Sequence, residues 1–137
     1  MKQMDNRIKN IMKNMEFTTP ATTEEINAAE KELGLEFPKS YVDFLLITNG
    51  AEGSIGEENY LVLWSVNEIV ELNNEYAVKE FTPQLTYFGS DGGGTAYAFD
   101  VSGDTISFAE IPFESIDIED RVHIANSFNA FVEALAK

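Results

Sequence analysis

The sequence predicts an α+β fold: a single domain on an antiparallel β-sheet, with a mixed sheet as the alternative. Three observations predict it. Helical periodicity comes first along the chain, β-prone runs separated by turn residues follow, and one more helical pattern closes it. The chain has 137 residues, room for one domain and not comfortably for two. Hydrophobic residues make up 44%, with ten Phe, five Tyr and one Trp, enough for a packed core. The expected division is a basic amphipathic helix and connector over residues 1–19 and a core over residues 20–137.

Residues 6–16 place Ile8, Ile11, Met12 and Met15 at i, i+3, i+4 and i+7, a narrow apolar stripe on a basic helix. Such a helix packs on its own domain or lies on a membrane surface; a short stripe without Trp or Phe favours packing. After Thr18-Thr19-Pro20-Ala21, Thr22 and Glu25 form a capping box. Ile26, Ala29 and Leu33 are the buried stripe of the helix it opens, and Gly34 suits the left-handed position that ends it. Phe37-Pro38 starts another helix, with Pro at its first position. Tyr41, Phe44, Leu45 and Thr48 form its stripe and Asn49-Gly50 stops it.

Residues 51–59 read as a polar loop, and Tyr60-Leu61-Val62-Leu63-Trp64 as a strand. Ser65 and Glu68 form a second capping box, with Trp64 and Ile69 at staple spacing. The helix that follows extends to about residue 79, burying Val66, Ile69, Val70, Tyr76 and Ala77, with Glu68, Glu71 and Glu75 on its outer face. Residues 85–88, 95–99 and 105–108 are strands of an antiparallel meander, turning through Gly89-Ser90-Asp91-Gly92-Gly93-Gly94 and Asp100-Val101-Ser102-Gly103-Asp104. Ile111-Pro112-Phe113 is an edge or irregular segment, because Pro cannot donate to a ladder. Ile124, Phe128, Phe131 and Leu135 mark the last helix.

Charge is unevenly placed. Formal net charge is −15; residues 1–15, with Lys2, Arg7, Lys9 and Lys13 against Asp5, carry +3, and the remaining 122 residues carry −18. Such a body repels nucleic acid and anionic membrane and attracts basic partners, although acidity also serves plain solubility. The chain has no cysteine. That excludes disulfides, thiolate metal sites and a Cys nucleophile, and it fits a cytosolic location. No apolar stretch reads as a secretory signal or a membrane span.

Chemistry finds little foothold. His123 has no Ser or Cys partner at a telling spacing; it reads as a surface histidine at the start of the last helix. The run from Gly89 to Gly94 is a poor phosphate loop: no Lys follows the glycines, a strand rather than a helix comes next, and Asp91 would repel phosphate. Asp100-x-Ser102-Gly103-Asp104 lacks the glycine offset and terminal Glu of a calcium loop. Asp117, Glu119 and Asp120 could pair for acid–base hydrolysis, but among 24 acidic residues proximity by chance is expected. Hence no catalytic residue, cofactor or metal is assigned.

The segment from Glu24-Glu25-Ile26 through Leu33-Gly34-Leu35-Glu36-Phe37-Pro38 and Tyr41 to Asn49-Gly50 resembles the opening motif of the SUKH superfamily, the Smi/Knr-type proteins. The resemblance continues through Leu61-x-Leu63-Trp64 before a Ser-capped helix. It extends to Phe88-Gly89-Ser90-Asp91-Gly92-Gly93-Gly94 before Tyr97-Ala98-Phe99-Asp100. Together these cover roughly residues 20–137. It implies an α+β domain without a catalytic centre, commonly an immunity protein that holds a cognate toxin, often a nuclease, inactive in bacteria. Fungal members regulate cell-wall synthesis and signalling.

The two lines converge on a protein partner, a basic toxin domain, with no direct nucleic-acid or membrane binding and no assigned oligomeric state. A regulatory or scaffolding module that binds another host protein is the alternative; a carboxylate hydrolase is a third class. The expected contact surface joins Glu52, Glu57, Glu58 and Asn59 with the helix face of Glu68, Glu71 and Glu75 and with Asp91. For each residue the competing reading is a solvated acidic face.

Overall fold

The computed structural model describes residues 4–137; Lys2, counted above among the basic N-terminal residues, lies outside them. Seven strands form one sheet: β1 (Met15–Phe17), β2 (Ala51–Ile55), β3 (Asn59–Leu63), β4 (Leu85–Ser90), β5 (Thr95–Asp100), β6 (Ser107–Pro112) and β7 (Val122–Ala125). Their order in space is their order in sequence, and every neighbouring pair is antiparallel. The fold is α+β, and the mixed-sheet alternative is excluded. Helix α1 (Asn6–Ile11) precedes β1; α2 (Thr23–Leu33) and α3 (Lys39–Leu45) lie between β1 and β2. Helices α4 (Val66–Glu75) and α5 (Val78–Phe81) join β3 to β4, and α6 (Phe128–Leu135) closes the chain. No helix among the described residues is long and apolar enough to cross a membrane.

Both capping boxes form, Thr22 with Glu25 and Ser65 with Glu68, and Gly34 ends α2 in the left-handed conformation at φ +74°. Elsewhere long-range pairing changes the local expectation. Residues 51–59 are not a loop throughout: Ala51–Ile55 is β2, held between β1 and β3. Its two ends, Ala51 and Ile55, are buried while Glu52 and Ser54 face water, so the strand shows few apolar residues. At Gly53 a Cβ would stand 2.7 Å from the Met15 Cα, and its absence lets β1 approach. The first helix accordingly ends at Ile11, and Met15 pairs with Gly53 in β1. Ile8, Met12 and Met15 are buried, so this segment packs on its own domain.

Helix α4 also stops short of residue 79, at Glu75; Ala77, with φ +52°, turns the chain into α5, and Tyr76 is 44% exposed rather than buried. The buried residue on α4 that periodicity misses is Asn73. Its Oδ1 accepts the Tyr87 N–H at 2.9 Å and its Nδ2 donates to the Tyr87 carbonyl at 2.8 Å. Strands β3 and β4 pair only at Val62–Ser90 and Leu63–Gly89, and the Asn73 amide replaces the missing strand beyond them. At the other end, Ile124 and His123 belong to β7, not to the last helix. Pairing of Ala109 with His123 and Phe108 with Ala125 extends the chain there, and Ser127 caps α6 only afterwards. Pro112 closes β6 past the last β7 pair, so its missing donor interrupts no ladder.

The core lies between the sheet and the α3–α6 layer. Tyr41 sits at its centre, with ring centroids of Phe37, Phe88, Phe99 and Phe128 within 5.7 Å. Phe131 of α6 packs edge-on against Phe88 at 5.4 Å and Tyr97 at 5.1 Å. On the opposite face Ala96, Ala98 and Ala109 keep the surface low, and the segment after β6 folds back over it. Phe113 meets Trp64, Tyr76 and Tyr87, and Arg121 bonds the buried Asp100 carboxylate. Burial disfavours the Asp100 anion. Donors from the Ser102 hydroxyl and amide and from Arg121 outweigh this and hold its carboxyl below the usual range.

Candidate protein-binding surface

Three of the expected contact residues converge. Strand register sets up the place: Phe99 pairs with Phe108, and two residues further along the same face Tyr97 pairs with Glu110. Tyr41 of α3 and Phe131 of α6 cover the first pair, and α6 ends near the second, with Phe131 against the Tyr97 ring. Beyond that end, the β2–β3 turn and the β4–β5 turn close a cavity of about 430 Å³. Glu58 and Asn59 enter it from the first turn, Asp91 from the second, and Tyr97 and Glu110 from the sheet floor. Leu135, at the end of α6, forms part of the rim, and its carbonyl accepts the Asn59 Nδ2 at 2.6 Å.

The second turn is internally braced. Asp91 Oδ1 accepts the N–H groups of Gly93 at 2.8 Å and Thr95 at 3.2 Å, an Asx-type turn that leaves Oδ2 for the cavity. Gly92 is left-handed at φ +83°, and a Cβ there would stand 3.0 Å from the Tyr60 ring. The glycine run therefore lets the turn lie against Tyr60, another wall of the cavity. It builds a wall rather than a phosphate cradle. Tyr60 donates its hydroxyl to Glu52 at 2.7 Å, and that bond raises its pKa.

Tyr97 is 5% exposed, and its hydroxyl has no hydrogen-bond partner among the described residues. Burial, with the Asp91 and Glu110 carboxylates nearby, pushes its pKa up to about 12. The Glu58 and Glu110 carboxylates make no hydrogen bond or ion pair among the described residues. The cavity thus offers acceptors and one buried phenol, without a nucleophile–base pair. Among the described residues no group of three His, Asp or Glu side chains is disposed to hold a metal.

The other expected residues lie elsewhere. Glu52 and Glu57 are exposed beside the β2–β3 turn. Glu68 is engaged in the Ser65 capping box, accepting the Ser65 N–H at 2.9 Å. Glu71 lines a separate groove of about 500 Å³ between α2 and α4, with Glu24, Glu32 and Val70, and Glu75 is exposed beyond it. The two concavities share no lining residue. A third, of about 710 Å³, lies between α1, β7 and α6 and is bordered by Arg7, His123 and Lys137. There Arg7 pairs with Glu133 at 2.6 Å, and exposed His123 lies 2.9 Å from Asn126 Oδ1.

Sequence reasoning missed Tyr97, Glu110 and Tyr60. Alternation within 95–99 and 107–112 tells which side chains share a face. Only the pairing register tells that Tyr97 lies beside Glu110.

A sequence model of the SMI1/KNR4 family (SUKH-1) matches residues 20–134. The chain is also 31% identical over 121 residues to the Bacillus subtilis (strain 168) uncharacterized protein YnaB, an alignment that covers 87% of this chain and 78% of that protein.

Proposed function

We propose, from the premise that this chain belongs to the SMI1/KNR4 family (SUKH-1), that it is a non-catalytic binding domain that neutralises a cognate bacterial toxin in the cytosol by covering a basic surface on it. The family supports an interaction domain of the immunity type. The observation that carries the finer reading is the −18 charge of residues 16–137, part of it gathered around a concave site. A nuclease must hold a polyanion and is basic where it does so. An acidic binder reaches that surface fast, which matters when free toxin is lethal.

The test is reconstitution with the toxin encoded beside the gene. The expected result is a stable complex by size-exclusion chromatography, loss of toxicity, and an association rate that falls steeply with salt. Undiminished toxicity with excess chain and no complex overturns the reading. Capture of a defined host protein instead moves the chain to the regulatory class.

A further inference from the structure

We infer that the cavity between the β2–β3 turn, the β4–β5 turn and the end of α6 binds the guanidinium group of an arginine presented by the protein partner. The inference deepens the proposed function and rests on it for the partner, while the cavity's own chemistry stands apart from it.

Acidic residues alone do not make a site, and here they are not alone. Tyr97 is buried but for its opening to the cavity, and its hydroxyl is left without a partner. That hydroxyl reaches the open cavity, where a donor entering the site finds its oxygen free to accept. Around it stand Glu58, Asp91 and Glu110, whose carboxylates can accept several donors at once, and the C-terminal end of α6, where the helix dipole is negative and the Leu135 carbonyl holds Asn59. Tyr60 adds an aromatic wall, 41% exposed and fixed by its bond to Glu52 and its closeness to Gly92.

That set selects among cations. A metal ion would need ligands drawn together around one point, and the described carboxylates do not converge in that way. An ammonium is compact and strongly hydrated. A guanidinium is flat, weakly hydrated, stacks on aromatic faces and spreads five donors in a fixed fork, which suits acceptors distributed around a tyrosine-walled cleft.

The test is titration of the isotope-labelled full chain, followed by NMR, with a short blocked peptide that contains one arginine. Matched peptides with citrulline or lysine, and magnesium or calcium chloride alone, are run beside it. Saturable shifts centred on Thr95, Tyr97 and Leu135 are expected with arginine and not with citrulline, and lysine is expected to bind more weakly. Glu110→Gln should weaken the arginine peptide about tenfold. Glu119→Gln, the same charge change on the exposed turn after β6, should leave it unchanged. Tyr97→Phe should weaken it by a smaller factor, and equal urea midpoints for all variants keep folding out of the comparison.

Shifts spread over α2 and α4, equal loss in the Glu110 and Glu119 variants, equal binding of lysine or citrulline, or tighter binding of a divalent cation overturns the inference. The partner separates it from the proposed function. If toxin binds wild type and Glu110→Gln equally, the cavity assignment falls and immunity stands. If the peptide binds here and toxin does not, immunity falls and the cavity stands.

Discussion

One pair of strands presents two opposite environments within two residues. At Phe99 and Phe108, β5 and β6 carry rings sealed under α3 and α6: Phe99 stacks on Phe88 at 4.4 Å, meets Tyr41 at 5.1 Å and lies edge-on to Phe108 at 5.4 Å, and Phe108 meets Phe131 at 5.5 Å. At Tyr97 and Glu110 the face is the same but the cover is ending: Phe131 still meets the Tyr97 ring at 5.1 Å, and Tyr97 and Glu110 form the floor of the cavity. The difference shows how an open cavity can be made without loosening a core. Helix α6 ends over the Tyr97 ring, and two turns wall the gap beyond it. Rigidity comes from the sealed half, and chemistry from the open one.

The contrast can be broken most strongly from the sealed side. Phe99→Ala should cost about 3–5 kcal/mol, since the ring is fully buried and its neighbours belong to different elements. Urea denaturation would read this as a large drop in midpoint with little change in slope. Next comes Asn73→Ala, which leaves the Tyr87 N–H and carbonyl without their amide partner where β4 parts from β3. The expected loss is about 2–3 kcal/mol, with faster hydrogen exchange at the Tyr87 amide.

Tyr41→Phe sharpens the picture in the other direction. The Tyr41 hydroxyl is buried among rings with no hydrogen-bond partner among the described residues, and burial pushes its pKa up strongly. Removing it should raise stability by about 1 kcal/mol, because a desolvated donor is deleted and no bond is lost. A measured decrease would show that the hydroxyl has a partner in solution.

On the open side the effects on stability should be smallest. Glu110→Gln should change the unfolding free energy by no more than about 0.5 kcal/mol, with no bonded partner left behind. The alkaline limb should expose Tyr97 itself. Its folded pKa, about 12, lies above the ordinary value near 10, so the folded state holds the phenolic proton more tightly. The resulting stabilisation is fully present below about pH 10 and is lost as pH rises through about 12. Tyr97→Phe should therefore remove one late-ionising tyrosine from an alkaline absorbance titration in which buried Tyr41 also ionises late, and Glu110→Gln should bring the Tyr97 step earlier. Asp100 acts at the acid end with the opposite sign. Its depressed pKa contributes stability present above the ordinary aspartate range and lost as pH falls through the depressed value, so Asp100→Asn should blunt that acid sensitivity.

Local rules were enough for much of the fold. Thr22 with Glu25, Ser65 with Glu68, and Gly34 place helix ends through hydrogen bonds and backbone freedom spanning a few residues. Strands β4 and β5 were legible because β-prone runs flank a glycine-rich turn. The candidate site was legible only in part. Glu58, Asn59 and Asp91 stood out as polar turn residues, while Tyr97 and Glu110 looked like ordinary members of alternating strands. Glu68 and Glu71 were grouped with them by charge alone, and the fold sends one to a helix cap and the other to a different groove.

Composition and periodicity reach as far as interactions between near neighbours, so they established the α+β class, the caps and the acidic excess of this chain. Strands β1, β2 and β7, the Asn73 clasp on Tyr87 and the cavity depend on residues up to 76 apart along the chain, as in the bond from Asn59 to Leu135. Such partners meet only when the whole sheet is assembled. A short strand with polar or glycine positions has no stability of its own to announce, and its neighbours supply the hydrogen bonds that make it a strand.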